Sequence, residues 1–246
     1  MTQVNNTLPE NVRSIAFDFD GTIADTMSVH KTSRIAAFKE MAIVTGDDRY
    51  TNVPQSVHEA AHAHGTVSHE IIGWILMHMG IIQNMDSSAL TQLVELKKKQ
   101  HHSMKLPMTL GTLRVLQYAR KRFGSAVGIV TTAHRIEVES FLKENNLEEY
   151  VPPNLIVTID DVEVPKPAPD MYAEFLDRSN TLPSEGIAVE DARKGIESAR
   201  RAGMFTIGVA TTHTQDELSR LSDYQRPDFI AANLAEVCNL LASVTD

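Results

Sequence analysis

Short apolar runs, each followed by a stretch of helical spacing, recur along this chain and restrict its folding more than any other feature. The runs are Ser14–Phe19, Ala126–Val130, Leu155–Thr158, Ile187–Val189 and Phe205–Val209, with a weaker sixth at Asp228–Ala231. Helical patterns follow or separate them at Leu113–Phe123, Arg135–Asn145, Pro169–Ser179, Lys194–Ala202 and Leu234–Ser243. The segments GIV, LIV and IAV are apolar without alternation, as strands covered on both faces must be. Strand–helix alternation of this kind predicts an α/β fold, a parallel sheet with helices on both faces.

One interval breaks the rhythm. From Ser28 to Lys105 the sequence reads as helix throughout, at Lys31–Met41, Gln55–His64, Ser68–Met79 and Ser87–His102. The expected organisation is therefore an α/β core of residues 1–22 and 107–246 with a helical insertion at 23–106. An insertion at the carboxyl end of a strand falls where open α/β sheets bind ligands, so it is a candidate lid.

Acidic residues occupy the strand ends. In 15-IAFDFDGTIADT-26, Asp18 and Asp20 flank Phe19 directly before Gly21-Thr22. Thr131-Thr132 follow GIV, Lys166 follows LIVTIDD, and Glu190-Asp191 follow IAV. Parallel strands align their carboxyl ends, so these clusters are expected to converge on one edge of the sheet. Crowded carboxylates repel unless protons or a cation intervene. Hard oxygen ligands suit Mg²⁺, which shares its shell with substrate phosphate. Lys166 and Thr131 would then contact the same phosphate, and an aspartate can attack phosphorus while a second one carries protons. Gly21 permits a turn, and the amides of Phe19–Thr22 can face an anion.

These motifs resemble the haloacid dehalogenase superfamily of phosphotransferases. DFDGTIADT is similar to its first motif, the run ending in Thr131 to its second, 166-KPAPDMY-172 to its third and 188-AVEDARKGIESARRAGM-204 to its fourth. The last two look most like the beta-phosphoglucomutase-like branch, which carries a helical cap after the first motif. The resemblance implies a Rossmann-like core with an inserted α-helical cap. It implies Asp18 as nucleophile, Asp20 as general acid and base, and Thr131 and Lys166 on the transferring phosphoryl group, with Phe19, Gly21, Thr22 and Thr132 as further phosphate contacts. Asp18, the carbonyl of Asp20, Asp191 and Glu190 would hold Mg²⁺. The substrate would be a small phosphate monoester such as a sugar phosphate or phosphoglycolate. A phosphomutase shares every core residue; it needs a second phosphate grip, and in the cap the sequence offers Arg34 and Arg49 without an obvious basic cluster. A binding module on an inactive scaffold is disfavoured because no core position is degraded.

A competing motif lies in the insertion. In 58-HEAAHAHGTVSH-69, His58 and His62 have the spacing of two zinc ligands with Glu59 as base. The extended protease pattern fails, because Ser68 stands where a third histidine belongs and His69 comes one residue late. His62, His64, Gly65, Thr66 and His69 are instead candidates for substrate contact in the cap, and Trp74 reads as cap core. Asp25-Thr26 reads as a helix cap. Asp160-Asp161 read as loop acids able to orient Lys166, and Glu190-Asp191 could also cap the helix that follows.

The remaining bounds are broad. With 23 basic against 32 acidic residues the net charge is -9, which opposes nucleic-acid and membrane-surface partners. Cys238 is the only cysteine, so no internal disulfide forms. The first residues lack the apolar core of a signal peptide, and 71-IIGWILMHMGII-82 is too short to span a bilayer. A cytoplasmic monomer or homodimer is expected.

Overall fold

In the computed structural model, which describes residues 8–61, 68–85 and 87–243, six short runs become strands. They are β1 (Ser14–Phe17), β2 (Val127–Val130), β3 (Ile156–Val157), β4 (Gly186–Glu190), β5 (Phe205–Val209) and β6 (Phe229–Ala231). They form one sheet in the order β3-β2-β1-β4-β5-β6 with every pair parallel. The chain therefore departs from β1 in one direction to β2 and β3, and returns to the other side of β1 for β4. That reversal is a topological switch point, where crossover connections diverge and leave a crevice at the carboxyl ends.

The chain divides into two compact units, Met1–Asp25 with Met108–Asp246, and Thr26–Pro107. The second contains α1 (Thr26–Thr45), α2 (Gln55–Ala60), α3 (Ser68–His78) and α4 (Ser88–His102). Its core gathers Phe38 and Met41 of α1, Ile72, Ile75 and Leu76 of α3, and Leu90 and Leu93 of α4. The i, i+3, i+4 spacing of these residues gives each helix one apolar stripe to bury. Trp74 packs against the same cluster and stacks on His78 with centroids 4.7 Å apart, a core residue as expected. Among the described residues, no helix is long and apolar enough to cross a membrane.

The sheet is flanked by α5 (Thr112–Phe123), α6 (Arg135–Glu144), α7 (Asp170–Ser179), α8 (Arg193–Arg201), α9 (Gln215–Ser219) and α10 (Leu234–Ser243). Helices α5 and α10 pack together, with α5 against β1 and β2; α7 and α8 pack together, against β2–β3 and β4–β5 respectively. The approach of α7 has a sequence cause. Gly128, Ala16 and Ala188 lie side by side across β2, β1 and β4, a row of minimal side chains. Tyr172 and Phe175 fill the space, and a Cβ on Gly128 would stand 2.4 Å from the Phe175 ring. This packing sets Tyr172 beside the strand ends.

Candidate active site

Asp18 directly follows β1, its N–H donating to the Val189 carbonyl at 2.9 Å. Glu190 is the last residue of β4 and Asp191 the next. Lys166 arrives from the loop after β3. Asp18, Glu190 and Asp191 are buried, the Lys166 side chain is 6% exposed, and its Nζ donates to Asp18 Oδ1 at 2.6 Å, Glu190 Oε1 at 2.7 Å and the Val130 carbonyl at 2.8 Å. Oxygen atoms of Asp18, Glu190 and Asp191 all lie within 4.8 Å of one another. The strand-end clusters predicted to converge do so.

The charge balance of this group decides its chemistry. One ammonium faces three carboxylates, leaving two negative charges uncompensated if all ionise. At an effective dielectric near 20, each carboxylate pair repels by roughly 3–4 kcal/mol. Burial, with Asp18 and then Asp191 adding repulsion, pushes Glu190 up to about 8 despite Lys166. Burial and Asp18 push Asp191 up to about 7, against hydrogen bonds from Thr212 and Thr22. Burial also raises Asp18, with Lys166 pulling the other way. Burial disfavours charge on Lys166, but Asp18 and Glu190 outweigh it and keep the lysine protonated above its usual range.

A hard divalent cation fits these residues. Glu190 Oε2 is buried with no hydrogen-bond partner among the described residues, an acceptor that ordinary packing would not strand. Asp191 is held at both oxygens: Thr22 Oγ1 donates to Oδ1 at 3.1 Å and Thr212 Oγ1 to Oδ2. The Tyr172 hydroxyl donates to Glu190 Oε1 at 2.6 Å. Backbone space is also reserved. A Cβ on Gly195 would stand 2.0 Å from Glu190 Cδ, and one on Gly21, at φ +79°, 2.2 Å from Asp191 Oδ2.

The cleft beside this group is lined by Asp18, Asp20, Thr132, Lys166, Glu190 and Lys194 among others, with a volume of about 350 Å³. Asp20 thus shares the cleft with Asp18, while Phe19 between them is buried edge-on against Phe141 with centroids 5.0 Å apart. Of the two threonines, Thr132 is in the cleft wall. Thr131 is fully buried, its N–H bonded to the Val157 carbonyl and its Oγ1 accepting from Ala133 N–H at 3.0 Å. Gly21 N–H donates to the Ala24 carbonyl at 2.8 Å, so this amide closes the turn instead of facing an anion.

Other expectations resolve differently. Ala192, with no side-chain cap, is the N-cap of α8, so Glu190 and Asp191 do not cap it. Asp160 and Asp161 do not orient Lys166. Asp160 binds His134 and the Arg135 N–H, and Asp161 binds Arg135, Arg178 and Thr158. Their acidity serves the junction of α6 and α7. His58 is buried in α2, its ring edge-on to Phe38, and its Nδ1 accepts from Arg34 at 3.4 Å. The Glu59 side chain and His62, the other members of the zinc motif, lie outside the described residues, as do His64, Gly65 and Thr66. His69 is exposed on α3.

Four residues of the site escaped the sequence reading in these positions: Tyr172, Thr212, Lys194 and the side chain of Thr22. Thr212 stands just beyond β5, where the strand-end rule reaches it, but a lone hydroxyl carries no signal of its own. Lys194 sits one turn past the acidic pair, visible only once α8 is placed.

The family model of the haloacid dehalogenase-like hydrolases matches residues 15–209, from β1 through β5. Validoxylamine A 7'-phosphate phosphatase of Streptomyces hygroscopicus subsp. limoneus is 34% identical over 111 residues, which cover 45% of this chain and only 48% of that protein. Pyrophosphatase PpaX of Bacillus cereus (strain Q1) is 26% identical over 236 residues, 95% of this chain and 98% of that protein. A conserved haloacid dehalogenase-like protein from Agrobacterium tumefaciens has the same fold, with a TM-score of 0.70 at 21% identity, over 96% of this chain and 100% of that one.

Proposed function

The chain belongs to the haloacid dehalogenase-like hydrolases, and on that premise we propose that it is a Mg²⁺-dependent phosphatase acting on a small phosphate monoester through an aspartyl-phosphate at Asp18. The observation that carries this reading is the single ammonium of Lys166 set against three buried carboxylates, 2.6 Å from Asp18 and 2.7 Å from Glu190. The residual charge matches a divalent cation, and the lysine is poised to follow a phosphoryl group bound beside Asp18.

Asp18, Asp191 and Glu190, with the Asp20 carbonyl, would hold Mg²⁺. When bound, the ion offsets the carboxylate charge and that of the phosphoryl oxygens. An Asp18 oxygen attacks phosphorus, the ester P–O bond breaks, and Asp20 gives its proton to the leaving alcohol. Asp20 then takes a proton from water as the water attacks the aspartyl-phosphate, releasing phosphate and restoring the Asp18 carboxylate. Thr132 in the cleft wall and Thr131, whose hydroxyl retains a proton to donate, serve the phosphoryl oxygens with Lys166, alongside the backbone of Phe19 and Thr22. Rate enhancement rests on these fixed charges and donors.

The inserted helical unit acts as the cap that selects the leaving group. The names of the relatives, a pyrophosphatase and a phosphatase of a phosphorylated small molecule, support a compact phosphorylated substrate. The net charge of -9 favours a small-molecule partner over nucleic acid or membrane and suits a cytoplasmic monomer or homodimer. A panel of sugar monophosphates, phosphoglycolate and pyrophosphate, assayed with Mg²⁺ for phosphate release, tests the reading. Asp18→Asn should lower turnover by roughly 10³-fold or more with the fold intact. Full turnover in that variant would overturn it.

A further inference from the structure

The cleft beside Asp18 holds two lysines in different states. Lys166 donates all three of its ammonium protons, to Asp18, Glu190 and the Val130 carbonyl. It meets a phosphoryl group only by releasing one of these partners. Lys194, in the first turn of α8, lines the same cleft, is exposed, and has no hydrogen bond or ion pair among the described residues. Its charge is available to an incoming anion without the loss of an existing bond.

The neighbouring cation is placed elsewhere. Arg193 is also exposed and lies within electrostatic reach of His213 and Glu217, beside α9. Local energetics do not favour the position of Lys194. The first turn of α8 carries two cations and no acid, at the end where the helix dipole is positive. Glu190, which precedes the helix, is turned to Lys166 and Tyr172 instead.

The depth of the cleft orders what enters it. Asp18 is 7% exposed, at the floor, whereas Lys194 stands at the rim. An in-line displacement sets the leaving oxygen opposite the attacking one. With Asp18 at the floor, the leaving group therefore points outward, towards Lys194. The cleft volume of about 350 Å³ falls within the small-molecule range of roughly 300–1,000 Å³, room for a leaving group as well as a phosphoryl group. Ile159 and Pro165 add carbon surface to the same wall.

We propose that Lys194 determines specificity by pairing with a second anionic group, a carboxylate or phosphate, on the leaving group of the substrate. The preferred substrate is then a short phosphate ester with charge on both sides of the scissile bond. A pair formed in a cleft partly shielded from water is stronger than one on open surface. The inference rests on the phosphatase reading, although the grip on the anion is measurable without turnover.

Calorimetric titration of the full chain with Mg²⁺ tests it. Phosphonoacetate and 2-hydroxyethylphosphonate match in length, carry a P–C bond that this chemistry does not cleave, and differ in the second anion. The parent should bind phosphonoacetate more tightly by about fivefold or more, the upper reach of an exposed ion pair. Lys194→Arg should keep that preference, and Lys194→Ala should cut it below about twofold. Arg193→Ala, which removes the adjacent exposed cation, should leave the preference in place. A parent that does not distinguish the two phosphonates overturns the assignment. Equal weakening of both by Lys194→Ala overturns it as well, because the lysine would then serve the transferring phosphoryl group or the general field of the cleft. Loss of the preference in Arg193→Ala has the same force. Phosphate release from phosphoglycolate and 2-hydroxyethyl phosphate separates the two readings, since the same preference should appear in kcat/KM. No release from either ester, with the phosphonate preference still erased by Lys194→Ala, refutes the phosphatase and supports the anion grip.

Discussion

The Tyr172 hydroxyl donates to Glu190 Oε1 at 2.6 Å, and that same oxygen accepts from Lys166 at 2.7 Å, so one carboxylate oxygen is fully spent and the other is presented. Burial and the neighbouring Glu190 hold the phenol well above its usual range, so it stays a donor. Tyr172→Phe should keep the ring in its slot against the Gly128–Ala16–Ala188 row and remove only the bond. A hydrogen bond to a charged group is worth about 1.5–3 kcal/mol, so kcat/KM should fall about ten- to a hundredfold, with a higher Mg²⁺ requirement. An unchanged Mg²⁺ dependence would show that Glu190 is not held by the tyrosine.

Gly195 backs the same carboxylate. Gly195→Ala would drive a methyl to 2.0 Å from Glu190 Cδ, a contact that real side chains do not make. Either Glu190 rotates away or α8 shifts, at about 1–3 kcal/mol. Phosphate-release assays should show a loss at least as large as that of Tyr172→Phe, while circular dichroism stays that of the parent. Parent-like activity would mean Glu190 can leave its position without consequence.

The metal-free protein should respond to pH in an unusual direction. Glu190 and Asp191 are raised to about 8 and 7, above their unfolded values near 4.5 and 3.8. The folded state then holds more protons than the unfolded one across that window, so stability declines as pH climbs from about 5 to 8. Mg²⁺ replaces those protons, and its stabilisation should grow over the same interval. Melting curves with and without Mg²⁺ at pH 5, 6, 7 and 8 should diverge upward. A constant gap would refute the proton–metal exchange.

Asp161 titrates the other way. Burial raises it, but hydrogen bonds from Arg178 and Thr158 and the charge of Arg135 prevail and bring it to about 2. Its folded value lies below the unfolded 3.8, so its contribution is complete above about pH 4 and lost as pH falls towards 2. Asp161→Asn should cost about 1–3 kcal/mol at neutral pH and flatten the acid limb of the stability curve, with phosphatase kinetics unaltered. Chemical denaturation at pH 7 and pH 3 separates the two effects.

The strands and the acids at their ends were legible because both obey local rules. An apolar run without alternation must be covered twice, and a carboxylate at its carboxyl end has nowhere to go but the crevice. Even the weak run at Asp228–Ala231 became a strand, β6, at the edge of the sheet and only partly buried. What stayed hidden depends on packing between distant segments. Tyr172 looks like one more apolar residue of α7 until the small-residue row of the sheet draws it in. Lys97 and His30 are 67 positions apart, and only the packing of α4 on α1 makes them neighbours of Arg34. The acidic pair Asp160-Asp161 misled for the converse reason, since nearness in sequence to Lys166 says nothing about which way a turn aims its side chains.

Ala24 forms a parallel bridge with Asp20 and an antiparallel one with Met108, while Thr109 N–H and Thr112 Oγ1 both donate to the Ile23 carbonyl. The outgoing and returning strands of the insertion are thus stapled side by side before either leaves the sheet. To the core, everything from Thr26 to Pro107 is an excursion between two joined points, and lengthening it costs little, about 0.6 kcal/mol of closure entropy per doubling. Such a chain works as a socket: the helical unit can be rewritten, enlarged or exchanged wholesale without the α/β core relearning how to fold.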